Sequence, residues 1–189
     1  SKNWASIAGD GELTNKTLVI LGYGGIGSQV AKLGKAFGMR VTGIRRNPQD
    51  DEHADEVLGL DRFEELLPLT DYLVLSLPDS PQTRDIINAD ILEKINSSAM
   101  LINVGRGTAI NEDDLTDALN DGKIAAAALD TTKVEPLDAN SSLWTAKNCF
   151  ISAHDSAHSL LSLERAFELF FQNIKNIKNG DQIVNLYSE

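Results

Sequence analysis

The sequence predicts an α/β domain built on a parallel, doubly wound sheet, and two observations carry that prediction. Short apolar runs of strand length alternate with stretches of helical periodicity along most of the chain. Runs such as Leu73-Val74-Leu75-Ser76-Leu77 show little polar alternation, so they read as strands buried on both faces, as in a parallel sheet covered by helices. Strands linked through helices in this way are joined by right-handed crossovers.

Taken in order, the first strand is expected over Thr17–Leu21. A helix follows over 26–37, with Ile26, Val30, Leu33 and Phe37 at helical spacing and Gly38 closing it. The second strand covers Arg40–Ile44, and further strands are expected over 57–58, 72–77, 99–104, 124–129 and 149–152. Helices fit 63–67, 89–95 and 111–120. A last helix carries Leu163, Phe167, Phe170, Phe171, Ile174 and Ile177, with Gly180 as its C-cap residue. Its broad apolar face reads as core packing at most positions, with some of it available to a missing lobe or partner.

The turn after the first strand holds the most informative motif, Leu21-Gly22-Tyr23-Gly24-Gly25-Ile26-Gly27. In this G-x-G-x-x-G spacing Gly22 permits a tight turn, Gly24 lets backbone approach a pyrophosphate, and Gly27 lets the helix lie close to the sheet. Gly25 and Ile26 open the helix, whose amino end presents free N–H groups and positive potential to an anion. A strand before and a helix after the motif make dinucleotide binding the expectation. The carboxyl end of the second strand selects between dinucleotides. An acid there accepts bonds from a ribose 2'-hydroxyl, whereas this chain has Arg45 and Arg46, whose guanidinium forks suit a 2'-phosphate. NADP is the expected cofactor and NAD the alternative. The competing reading is that the two arginines open a solvated loop, Asn47-Pro48-Gln49-Asp50-Asp51, whose acids neutralise them.

Composition narrows the function classes. A chain of 189 residues with 42% hydrophobic content suffices for one well-packed domain. A formal net charge of -11 argues against a nucleic-acid partner, because phosphates would be repelled. The single cysteine, Cys149, excludes an internal disulfide framework and reads as an inert strand position. No apolar run reaches the roughly 20 residues needed to span a bilayer, and the start Ser1-Lys2-Asn3-Trp4 has no signal-peptide core, so a cytoplasmic protein is expected.

Ligands of such sheets sit beyond the carboxyl ends of the strands. Three residues in separate loops there have the chemistry of hydride-transfer enzymes: Arg106, Glu135 and His154. Arg106 lies between Gly105 and Gly107, displaying a planar fork suited to a carboxylate. If Glu135 meets His154, the carboxylate favours the imidazolium and lets the histidine donate and accept a proton at a carbonyl oxygen. His154 and His158 stand at a helical ligand spacing, but the segment adds only Asp155 and no glutamate base, so no metal site is expected. His53 and His158 receive no role.

These segments together resemble the nucleotide-binding domain of the D-isomer-specific 2-hydroxyacid dehydrogenase family over nearly the whole chain. The matching stretches are the glycine motif, Leu75-Ser76-Leu77-Pro78 with Thr83-Arg84, Leu101-Ile102-Asn103-Val104-Gly105-Arg106-Gly107, Ala128-Leu129-Asp130, Glu135-Pro136-Leu137 and Ile151-Ser152-Ala153-His154. The resemblance implies a Rossmann-type fold and hydride exchange with a small 2-oxo or 2-hydroxy acid. It implies that Arg106 holds the substrate, His154 exchanges the proton and Glu135 orients His154. Pro78 and Thr83 fall in a cofactor-side motif, and Asp130 is implied to bind the nicotinamide carboxamide. Arg45 resembles NADP-using members such as glyoxylate and hydroxypyruvate reductases, whereas Ala153 replaces a proline common in the family. A homodimer is also implied.

The expected organisation is a connecting segment over 1–16, a dinucleotide-binding domain over 17–160, and a closing helix and tail over 161–189 of the same domain. The family's amino-terminal substrate lobe has no counterpart in this sequence, so an excised domain or truncated product is expected. Other readings are a non-catalytic dinucleotide sensor and an orphaned fragment.

Overall fold

Seven short strands supply the frame: β1 (Thr17–Leu21), β2 (Arg40–Ile44), β3 (Glu56–Leu58), β4 (Tyr72–Leu75), β5 (Met100–Asn103), β6 (Ala126–Leu129) and β7 (Cys149–Ile151). The structure is a computed structural model and describes residues 11–185. The strands form one sheet in the order β3-β2-β1-β4-β5-β6-β7, and every neighbouring pair is parallel. The helices are α1 (Gly25–Ala36), α2 (Phe63–Leu66), α3 (Ala89–Lys94), α4 (Glu112–Asp121) and α5 (Ser162–Asn179). This is the doubly wound, Rossmann-type arrangement. Strand order reverses at β1 and β4, which opens a crevice at their carboxyl ends.

The chain divides into two compact units, Ser1–Ala153 with the sheet and α1 to α4, and His154–Glu189 with α5. Most of the connecting segment expected over 1–16, including Trp4, lies outside the described residues.

In the first unit, alternate residues of β1 feed opposite faces of the sheet. Leu18 and Ile20 join Tyr23, Ala31, Val41 and Val74 on one side. Val19 and Leu21 join Leu73, Leu75, Leu101, Leu115 and Leu119 on the other. Helix ends follow their sequence signals. Asn88 caps α3 by accepting from the backbone N–H groups of Asp90 and Ile91, and Asn111 caps α4 by accepting from Asp114 N–H. Gly122 ends α4 in the left-handed conformation, φ 71°.

Several expectations are corrected. β4 stops at Leu75, not residue 77, because Ser76 turns aside to donate its hydroxyl to the Gly22 carbonyl at 2.8 Å. The helix expected over 63–67 is a single turn, and Pro68 continues it as a 3-10 turn, Leu67–Leu69. In α1, three of the four spaced apolar residues face outward, while Val30 is half-buried against the core. Ile26, Leu33 and Phe37 are 57%, 61% and 59% exposed, while Gly27, Ala31 and Gly34 form the buried face. Small residues win that face because the helix lies almost on the strand: a Cβ on Gly34 would stand 2.7 Å from Leu18 Cδ2.

In the second unit, α5 runs to Gly180, which closes it in the left-handed conformation as expected. Of the six apolar positions, most of which were expected to pack in a core, only Ile174 is half-buried. Leu163, Phe167, Phe170, Phe171 and Ile177 are all more than half exposed.

Candidate cofactor and substrate site

The turn from β1 into α1 is held by main-chain bonds. The N–H groups of Gly22 and Tyr23 both donate to the Ile44 carbonyl, at 3.0 and 2.9 Å, tying the glycine loop to the end of β2. Gly22 adopts φ +101°, and a Cβ there would stand 2.8 Å from the Ser76 carbonyl group. Gly27 is equally confined, with a Cβ position 2.8 Å from the Gly22 oxygen. Gly24 and Gly25 differ: a Cβ on either meets nothing within 4 Å. The loop therefore packs inward through Gly22 and Gly27 and presents open space at Gly24 and Gly25.

The amino end of α1 is built unlike those of α3 and α4. Its N-cap is Gly24, no side chain caps it, and no acid stands in its first turn, whereas α4 begins with Glu112, Asp113 and Asp114. First-turn N–H groups have no intrahelical acceptor, so an uncapped, acid-free helix start beside open space is suited to an anion.

Beyond β2, Arg45 is half-buried and Arg46 exposed. The Arg45 N–H donates to the Leu58 carbonyl at 3.0 Å, fixing where the loop leaves the sheet. Beyond β4, the Thr83 hydroxyl donates to the Pro78 carbonyl at 2.8 Å and closes that loop on itself.

Arg106 follows β5 and is exposed, so its guanidinium is available to a ligand. Two residues that sequence reasoning gave no role hold its surroundings. Asn103, fully buried, donates to the Arg106 carbonyl at 3.1 Å and to the Thr131 hydroxyl at 3.2 Å, and accepts from Gly105 N–H at 3.0 Å. A polar residue ending the run Met100-Leu101-Ile102-Asn103 is the sequence signal for this cap. Asp79 accepts from the Arg84 guanidinium twice, at 3.1 Å each, and from the Thr108 hydroxyl at 2.9 Å, joining the loops beyond β4 and β5. The Arg84 and Thr108 bonds, with the charge of Arg106 adding to them, hold the Asp79 carboxyl below its usual range.

Asp130 follows β6, is buried, and accepts the Ser152 hydroxyl at 2.7 Å, which links the ends of β6 and β7. The next loop passes so close to Gly107 that a Cβ there would stand 2.0 Å from the Thr132 carbonyl carbon. Glu135 is exposed and accepts from Thr132 N–H at 3.1 Å. Residues from the ends of β1, β2, β4, β5 and β6 thus share one edge of the sheet in the first unit. His154 follows β7, begins the second unit, is exposed, and has a left-handed backbone at φ 53°. Among the described residues no group of three His, Cys, Asp or Glu gathers as metal ligands, and no helix is long and apolar enough to cross a membrane.

Residues 1–156 match the model of the D-isomer specific 2-hydroxyacid dehydrogenase, NAD binding domain. The chain belongs to this family. A hydroxypyruvate reductase of Blautia hydrogenotrophica is 35% identical over 91% of the chain and 53% of its own length. A family protein of known structure from Aeromonas salmonicida superposes with a TM-score of 0.87 at 36% identity, over 98% of this chain and 59% of that one. An NADPH-dependent glyoxylate/hydroxypyruvate reductase from Sinorhizobium meliloti, solved with NADP and sulfate, gives 0.86 at 28% identity, over 98% and 59%. The chain therefore spans a little more than half the length of these relatives.

The residues present fit the nicotinamide dinucleotide of a 2-hydroxyacid dehydrogenase. The open space at Gly24 and Gly25, next to the uncapped start of α1, has room and donors for a pyrophosphate.

Proposed function

We propose that this chain forms the NADP(H)-preferring half of a reductase for small 2-oxo acids. The observation that carries the proposal is the shared sheet edge, where an uncapped, acid-free helix start, a pair of arginines beyond β2 and the exposed Arg106 beyond β5 stand together. Arg45 and Arg46 receive the 2'-phosphate, since two guanidinium forks match its oxygens and an acid in their place would repel it. Gly22 to Gly27 receive the pyrophosphate, Pro78 and Thr83 line the cofactor's path, and Asp130 meets the carboxamide of the nicotinamide.

A bound nicotinamide would supply the hydride for C2 of the acid. Arg106 pairs with the substrate carboxylate and orients C2. By the family match, His154 would give a proton to the C2 oxygen on reduction and take it back on oxidation, and Glu135 would favour its imidazolium form. The order of these residues along the chain, matched to the family, supports these roles. The activities of the Blautia and Sinorhizobium relatives support glyoxylate and hydroxypyruvate as the substrate class. A homodimer fits the exposed apolar residues of α5, and sedimentation of the 189-residue chain tests it.

The experiment is NADPH consumption with glyoxylate, hydroxypyruvate and pyruvate, followed by the loss of reduced-nicotinamide absorbance. Turnover that disappears in His154→Ala supports the reductase. Tight NADPH binding without turnover supports a dinucleotide sensor, and neither binding nor turnover supports an orphaned fragment.

A further inference from the structure

The apolar residues of α5 are spaced as a seam for a second helix. Leu163, Phe167, Phe170, Ile174 and Ile177 follow one another at steps of four, three, four and three residues, the 3.5-residue average that keeps one line of side chains turned to a facing helix. Four of the five are more than half exposed, and Ile174 is half-buried. Phe171, equally exposed, widens the seam on one flank, with its ring edge-on to Phe170 and the centroids 5.7 Å apart. On the other flank the helix holds its own tail. Asn173 exchanges two bonds with the Val184 backbone, at 2.9 and 3.0 Å, and Asn176 donates to the Gln182 carbonyl at 2.8 Å.

The charges along α5 select what fits the seam. Glu164 and Glu168 lie in its amino half and Lys175 and Lys178 in its carboxyl half, while Arg165 falls on the side away from the seam. Among the described residues none of these two acids and two lysines has an ion-pair partner. Glu164 and Lys178 stand seven residues to either side of Phe171 and share its flank. Two copies laid antiparallel about Phe171 therefore bring Glu164 of each copy beside Lys178 of the other, with Phe171 meeting Phe171 at the two-fold axis. The same register sets Phe167 of one copy against Ile177 of the other, and Phe170 against Ile174, so every ring of the seam faces a smaller branched side chain. A parallel pair would stack ring on ring and place the acidic halves together. The five side chains that are more than half exposed, at roughly 120 Å² each, give about 1,200 Å² over two copies, the lower end of a stable specific interface.

We infer that α5 is a self-association surface whose partner is α5 of a second copy, antiparallel and in the register centred on Phe171. The inference rests on the homodimer reading above and gives it a surface and a direction.

Sedimentation velocity over a concentration series gives the dimer dissociation constant of the unaltered 189-residue chain. Glu164→Lys sets like charges in both cross-copy pairs and is expected to weaken association about tenfold, as two exposed pairs turn from attraction to repulsion. Adding Lys178→Glu restores opposite charges and is expected to return the constant to within about twofold of the unaltered chain. Phe170→Asp, at an exposed position, is expected to weaken association at least about a hundredfold, with circular dichroism showing the variant folded. A dimer that all of these variants leave unchanged overturns the α5 surface and leaves the homodimer standing through another face. Weakening by Phe170→Asp without rescue in the charge exchange overturns the antiparallel register. An unaltered chain that stays monomeric overturns both the surface and the homodimer, and leaves the seam to a different partner such as a substrate lobe.

Discussion

At the residue scale, the tight positions around the glycine loop are fixed by backbone contact rather than by side-chain chemistry. Gly22 combines φ +101° with a Cβ position 2.8 Å from the Ser76 carbonyl. Gly22→Ala is therefore expected to cost about 1–3 kcal/mol, the usual toll of a strained non-glycine backbone, read as a lowered urea midpoint. Cys149 illustrates the opposite case, a group made inert by its surroundings. Burial, then the charge of Glu112, pushes its thiol up to about 11, so little thiolate exists at pH 8. Alkylation by iodoacetamide at pH 8 is expected to run at least about tenfold slower in the folded chain than in urea, and equal rates would contradict that burial. The places of the glycine motif, Arg45 and Arg106 were legible in the sequence because each follows a strand, whereas Asp130 was singled out only through the family resemblance. Asn103 and Asp79 were not, since their partners Thr131 and Thr108 lie 28 and 29 residues away.

At the element scale, α1 shows that spaced apolar residues need not mark the contact face when a helix lies close to its strand. Side-chain volume is excluded from the contact face, so Gly27, Ala31 and Gly34 occupy it and Ile26, Leu33 and Phe37 turn outward. Two substitutions separate this arrangement from ordinary helix burial. Gly34→Leu is expected to cost about 1–3 kcal/mol or more by overpacking against Leu18 and Val41. Leu33→Ala, at a position 61% exposed, is expected to change stability by less than about 0.5 kcal/mol. Chemical denaturation of both variants decides it, and a larger loss at Leu33 would mean that the apolar stripe carries the packing after all. The parallel strands were legible for the complementary reason: a strand covered on both faces has no polar side, so its apolar run shows without knowledge of its neighbours. The exposed apolar residues of α5 were misread because helical periodicity reports amphipathicity and not what covers the apolar side.

At the scale of the whole molecule, the acidic chain relies on local arrangements to handle both anions and pH. Bonds from the His53 N–H to Asp51, from Lys35 to Asp55 and from Arg84 to Asp79 hold these carboxyls below their ordinary values. Carboxyls with lowered folded-state pKa values add stability that is fully present above their unfolded value, about 3.9, and lost as pH falls through the folded one. The melting temperature is therefore expected to hold down to about pH 5 and to decline below about pH 4, as a pH series of thermal melts would show. A net charge of -11 also means that a phosphate is attracted only where the fold gathers donors, as the uncapped, acid-free start of α1 does.

The most direct test uses Gly24, whose Cβ position meets nothing within 4 Å and whose extended backbone, φ -121°, accepts a side chain. Gly24→Val sets its Cβ in open space and places a branched side chain where the pyrophosphate is proposed to lie. Calorimetric titration of that variant with NADPH, alongside a thermal melt, is expected to show an unchanged melting temperature and binding weakened at least about a hundredfold, as the loss of main-chain contacts to a phosphate group requires. Undiminished NADPH affinity in the folded variant would contradict a dinucleotide site at the β1 to α1 turn.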